Sequence, residues 1–124
     1  YTVFITARGT VGKLSFAQRP MAMNQSCYAL IAKGEISQEF LYSSLKASIE
    51  QFKARARKTE FDAIVVDTFK NIPFLIPSSS LCDEFTEQVK GVFSQIDNLS
   101  IQNMKLAQAR DLLLPKLMSG ELTV

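Results

Sequence analysis

Apolar residues in the last third of the chain recur at alternating steps of four and three: Phe85, Val89, Val92, Ile96, Leu99, Leu106 and Leu113. That spacing is the seam of a coiled coil and predicts one long helix over residues 81–114. With Val89 and Ile96 at a positions, Asn103 and Arg110 fall on the same seam. A polar seam residue costs stability but fixes register, because its side chain is satisfied only opposite a matching group. Phe93, Ile101, Met104, Leu112 and Leu114 widen the apolar surface beyond what a two-stranded seam needs, so a second partner is expected for it. The g positions are Gln88, Gln95, Gln102 and Ala109, and the e positions carry no charge, so flanking ion pairs do not choose the partner. The alternative is a helix folded back on its own domain. Ser80 is placed as N-cap with Asp83 completing a capping box. Pro115 should stop or kink the helix, and Gly120 suits a left-handed cap if a short turn continues through Met118.

Upstream the period changes. Residues 2–7 read as a strand, 9–12 as a tight turn and 13–18 as a returning strand, a hairpin with Leu14 and Phe16 on one face. Arg19 and Pro20 break it, and residues 26–32 form a third strand, expected to be more fully buried. Ser37 caps a helix of roughly 16 residues, with Ile36 and Leu41 placed as a hydrophobic staple and Phe40, Leu41, Leu45, Ile49 and Phe52 on its core face. Residues 61–66 are expected to be extended, Asp67 to cap a short turn through Asn71, and residues 72–76 to form an edge strand interrupted by Pro73. The pattern predicts an α+β fold: a small twisted β-sheet with a packed helix over residues 1–79, then a long coiled-coil helix and tail over 80–124.

Composition changes little in this picture, but charge adds something. At 124 residues the chain can build one modest core. No apolar run is long enough to span a membrane and no signal peptide is visible, so a cytoplasmic setting without a membrane partner is expected. Starting at Tyr1 without a methionine, the chain reads as a fragment or processed piece. Cys27 and Cys82 fit reduced core thiols better than a disulfide framework or a zinc site. The net charge is +2, unevenly spread. Residues 1–79 hold ten Lys and Arg against six Asp and Glu, whereas residues 80–124 hold four against six. The globular part is the basic part, which permits nucleic-acid binding without demonstrating it.

The candidate chemistry is that of binding. Gly9-Thr10-Val11-Gly12-Lys13 fails the phosphate-loop pattern, since two residues rather than four separate the glycines and Leu14 stands where a magnesium-binding hydroxyl would be. It matches the GXXG clamp of KH domains, but that clamp joins two helices and this segment is expected to join two strands. The other reading is a hairpin turn whose glycines take positive φ. Asn24 and Gln25 could read adenine edges or satisfy a turn. Lys53, Arg55, Arg57 and Lys58 could grip phosphates or complement the dipole of the helix they end. With Arg8, Thr10, Lys13 and Arg19, these residues form the candidate DNA-contacting set. No histidine, carboxylate pair or activated nucleophile fills a catalytic role, and no metal site is expected.

Three runs carry a resemblance to a known family. They are Ile5-Thr6-Ala7-Arg8-Gly9-Thr10-Val11-Gly12-Lys13, then Met23-Asn24-Gln25-Ser26-Cys27, and Gln102-Asn103 through Leu112-Leu113-Leu114-Pro115-Lys116-Leu117-Met118-Ser119-Gly120-Glu121-Leu122. In this order they resemble the specificity subunit of type I restriction-modification enzymes. The resemblance implies the C-terminal part of a second target-recognition domain, reading one half of a bipartite site in double-stranded DNA, followed by a spacer helix. It implies as partners methyltransferase and restriction subunits and either the first spacer helix of a full subunit or a second copy of this chain. S-adenosylmethionine, ATP and magnesium would belong to those partner subunits, with no cofactor and no catalysis in this chain. The chain departs from the family at Lys58-Thr59-Glu60, where Gly-Ser is frequent.

Overall fold

The computed structural model describes residues 1–59 and 62–122. It is α+β, in the order β1 (Val3–Thr6), β2 (Leu14–Phe16), β3 (Cys27–Leu30), α1 (Gln38–Ala56), α2 (Val66–Lys70) and α3 (Ser79–Met118). The chain divides into two compact units, Tyr1–Val89 and Lys90–Val124. The first unit therefore reaches ten residues past the expected boundary at residue 79 and takes in the opening turns of α3.

In the first unit three antiparallel strands lie in the order β2-β1-β3. The hairpin of residues 2–18 forms as the pattern predicts, with Val3 opposite Phe16 and Ile5 opposite Leu14. β1 is the central strand, and its side chains alternate across the sheet. Val3 and Ile5 are fully buried on the face that meets α1, whereas Phe4 and Thr6 look to the other side. β3 pairs with the free side of β1, from Val3 opposite Leu30 to Thr6 opposite Cys27. It is not the more buried strand the sequence suggested. Cys27, Tyr28 and Leu30 are half-buried and Ala29 is exposed, because β3 is an edge and only one sheet face is packed.

α1 starts at the expected place, with the Ser37 hydroxyl accepting the Phe40 N–H at 3.1 Å. It runs 19 residues, slightly longer than predicted. Leu45, Phe52 and Ala56 are buried against Val3, Ile5, Ala7, Ile64 and Ile72, with Leu41 and Ile49 half-buried beside them. Phe40 leaves that face and meets Phe74 and Phe85 edge-on instead, with ring centres 6.2 and 5.7 Å away. A second aromatic chain runs from Tyr28 through Phe69 to Phe52.

The connection from α1 to α3 corrects several expectations. The Ile64 N–H donates to the Ala7 carbonyl at 2.9 Å, so residues 63–65 are extended without joining the sheet, while Phe61 lies outside the described residues. Val66 already belongs to α2, and Asp67 is inside the helix rather than its cap. The capping contact comes from Thr68, whose hydroxyl accepts the Val65 N–H at 3.1 Å. Residues 72–76 form no strand: Pro73 and Pro77 leave too few amides for a ladder, and the segment serves by burying Ile72.

α3 begins two residues earlier than predicted. Leu81 and Cys82 N–H groups donate to the Ser78 carbonyl, which puts Ser80 inside the helix and removes it as N-cap. Cys82 is buried, and the Thr86 hydroxyl lies 2.8 Å from Ser37 Oγ, so this end of α3 is built into the first unit. In the second unit the helix passes through Pro115 without stopping and ends after Met118. Gly120 takes the expected left-handed conformation, φ 74°, and the Leu122 N–H reaches back to the Lys116 carbonyl.

Because Phe52 is buried where α1, β1 and Phe69 converge, Phe52→Ala should destabilise the first unit by about 3 to 5 kcal/mol, measured as a lowered urea midpoint with an unchanged slope.

Candidate nucleic-acid interface

The β1–β2 turn is organised by Thr6. Its carbonyl accepts the Gly12 N–H at 2.9 Å, its hydroxyl oxygen accepts the Lys13 N–H at 2.9 Å, and the hydroxyl donates to the Thr10 carbonyl. Gly9 and Gly12 take φ of 73° and 79°, the left-handed region that disfavours a Cβ. The turn joins two strands, which removes the KH-like reading of the glycine pair. Gly12 has a second reason to lack a side chain. A Cβ there would stand 2.9 Å from Lys53 Cγ, so the turn and the last turns of α1 are in close contact.

That contact brings part of the predicted set together. Gly9, Val11, Lys53, Ala56, Arg57 and Asp62 line one hollow of about 400 Å³. Arg8, Thr10, Lys13, Arg55, Arg57 and Lys58 are all exposed. Lys53 is already engaged, with its ammonium 2.8 Å from Glu50 Oε1. The hydrogen bond from Lys53, with its charge, holds the Glu50 carboxyl below the usual carboxylate range, and Arg57 adds in the same direction.

The other candidates lie elsewhere. Lys13 and Asn24 border an apolar groove of about 500 Å³ on the uncovered sheet face, lined also by Phe4, Met21 and Met23. Arg19 borders a neighbouring groove that shares Phe4 and Met21. Asn24 Oδ1 accepts the Ser26 N–H at 3.0 Å, the local turn its residue type favours, while Gln25 is exposed. Sequence reasoning missed Thr6, Glu50 and Asp62. Asp62 has φ 45°, and no local pattern signals that it lines the same hollow as Arg57.

Along α3 the predicted seam divides. Phe85 is half-buried against Phe40, and Val89 is half-buried. In the second unit Val92, Ile96, Leu99, Leu106 and Leu113 are exposed, Leu106 to 67%. Asn103 is exposed on the same line, and the Arg110 guanidinium pairs at 2.7 Å with neighbouring Asp111. No helix is long and apolar enough to cross a membrane, and no cluster of potential metal ligands occurs among the described residues.

The fold and these surfaces define an α+β unit with a cation-rich turn, joined in sequence to a helix with an open apolar seam. The profile of the family described as type I restriction modification DNA specificity domain matches residues 1–109, and the chain belongs to that family. It is similar to the type I restriction enzyme HindI specificity subunit of Haemophilus influenzae, with 33% identity over 98% of this chain and 27% of that protein. It is also similar to the MjaIX specificity subunit of Methanocaldococcus jannaschii, with 31% identity over 68% of this chain and 20% of that protein. The chain thus spans about a quarter of the length of these curated relatives. No solved structure matches it.

Gly9→Ala meets only the strain of a positive φ, since nothing stands within 4 Å of the added carbon, whereas Gly12→Ala also displaces Lys53. Gly9→Ala should cost about 1 kcal/mol, and Gly12→Ala should cost more, in equilibrium urea unfolding. Equal losses would mean that the turn does not depend on contact with α1.

Proposed function

We propose that this chain takes part in sequence-specific recognition of double-stranded DNA, reading one half of a bipartite site, and that its long helix is a scaffold within a type I restriction-modification complex. Membership of the specificity-domain family is the observation that carries this reading. The exposed cations around the β1–β2 turn suit phosphate contacts, and the open seam of α3 suits pairing with another helix. In this reading the helix partner is the first spacer helix of a full subunit or a second copy of this chain. Methyltransferase subunits dock on the same chain. Restriction subunits join the same complex. The chain itself is non-catalytic and cytoplasmic, with S-adenosylmethionine, ATP and magnesium held by the partner subunits.

Two measurements test it. Binding to duplex DNA should weaken with salt, and a Lys13, Arg55, Arg57, Lys58 quadruple alanine variant should lower the salt slope by roughly one for each phosphate it no longer neutralises. An unchanged slope counts against this surface. In sedimentation, the chain should self-associate at micromolar concentration, because each exposed seam side chain gains on the order of 1.5 to 3 kcal/mol on burial before entropy is subtracted. Leu99→Glu with Leu106→Glu should return it to monomer. A wild-type monomer at high micromolar concentration with its helix intact would overturn the pairing.

A further inference from the structure

The hollow between the β1–β2 turn and the end of α1 has core residue Ala56 in its wall and is otherwise rimmed by the turn, Lys53, Arg57 and Asp62. We propose that it receives one phosphodiester of a DNA backbone, with Arg57 as its cation and the turn amides as neutral donors. This rests on the DNA-binding reading above and assigns one of its contacts.

Three observations converge on the hollow. The Gly12 and Lys13 amides are bonded to Thr6, but the Gly9, Thr10 and Val11 amides donate to no acceptor among the described residues. Successive unbonded amides beside left-handed residues are a backbone means of holding an anion. Arg57 lines the same hollow without an ion pair among the described residues, and its planar fork suits two phosphate oxygens. Lys53 enters because Gly12 has no Cβ to exclude its stem. Its pair with Glu50 is exposed on the carboxylate side, and such pairs exchange readily for a better anion.

Asp62 decides which anion. It is one of the residues lining the hollow, and its negative charge there opposes any anionic ligand. A small free anion has only the hollow itself to offset that repulsion. A DNA strand adds neighbouring phosphates within the field of Arg8, Lys13, Arg55 and Lys58, all exposed. The site therefore favours a phosphate in a polymer over inorganic phosphate.

The test is fluorescence anisotropy with a mixed-sequence duplex, over salt from about 50 to 200 mM. Arg57→Gln should lower the salt slope by about one. Asp62→Asn, which asparagine's tolerance of positive φ makes structurally mild, should instead tighten binding by about two- to fivefold at low salt. A purely structural role for Asp62 predicts no gain. Inorganic phosphate at constant ionic strength should not displace the duplex at low millimolar concentration. If the wild-type chain binds DNA but either variant behaves as wild type, or if phosphate displaces the duplex, the assignment of the hollow fails and DNA binding stands. A wild-type chain without salt-dependent duplex binding overturns both.

Discussion

The packing of α1 on the inner face of β1 is the contact on which the first unit depends. Val3 and Ile5 have no exposed surface, and they meet a helix stripe whose most buried members are Leu45, Phe52 and Ala56. With one sheet face covered, β2 and β3 are held as edges on either side of β1, and the loop after α1 is pulled back until Ile64 bonds to Ala7. Thr59 holds that return, accepting the Ala63 N–H at 3.0 Å with its hydroxyl 2.7 Å from the Ala56 carbonyl. Thr59 thus braces the return through its side chain.

The same packing determines the electrostatics of the turn. α1 ends beside residues 9–12, so cations that would otherwise only complement a helix terminus stand next to a glycine turn in which the Gly9, Thr10 and Val11 amides have no acceptor among the described residues. Glu50 and Asp62 are brought to the same place and oppose them. The net effect is a surface of mixed sign. Among the described residues Arg57 keeps its charge out of any ion pair, while Lys53 is shared with Glu50.

The long helix is governed by a different balance. Its first turns are fastened to the first unit through buried Cys82, the Phe40–Phe85 contact and the hydroxyl of Thr86 near Ser37. Phe85 therefore acts as an anchor at the head of a seam rather than as one more repeat of it. Beyond the first unit the seam residues Val92, Ile96, Leu99, Leu106 and Leu113 are exposed, and burial of apolar area is what a partner helix would supply.

Local signals were enough to locate the hairpin, the Ser37 cap, the α1 face, the long seam and the Gly120 cap, because each rests on short-range spacing or on one residue's backbone preference. The same signals misplaced the α3 start, since three consecutive serines offer nearly equal caps and packing of Cys82 selects among them. They ended α3 too early because a helix can carry Pro115 when the following turn is still bonded, as the hydrogen bond from the Ser119 N–H to the Pro115 carbonyl shows. They overestimated burial of β3 because hydrophobicity alone does not say which strand is central. The candidate site was legible as a list of cations and glycines. Its grouping was decided only by tertiary structure, because the approach of Gly12 to Lys53 and the placing of Asp62 and Arg57 around one hollow depend on where α1 ends against the sheet, and no spacing within the sequence encodes that.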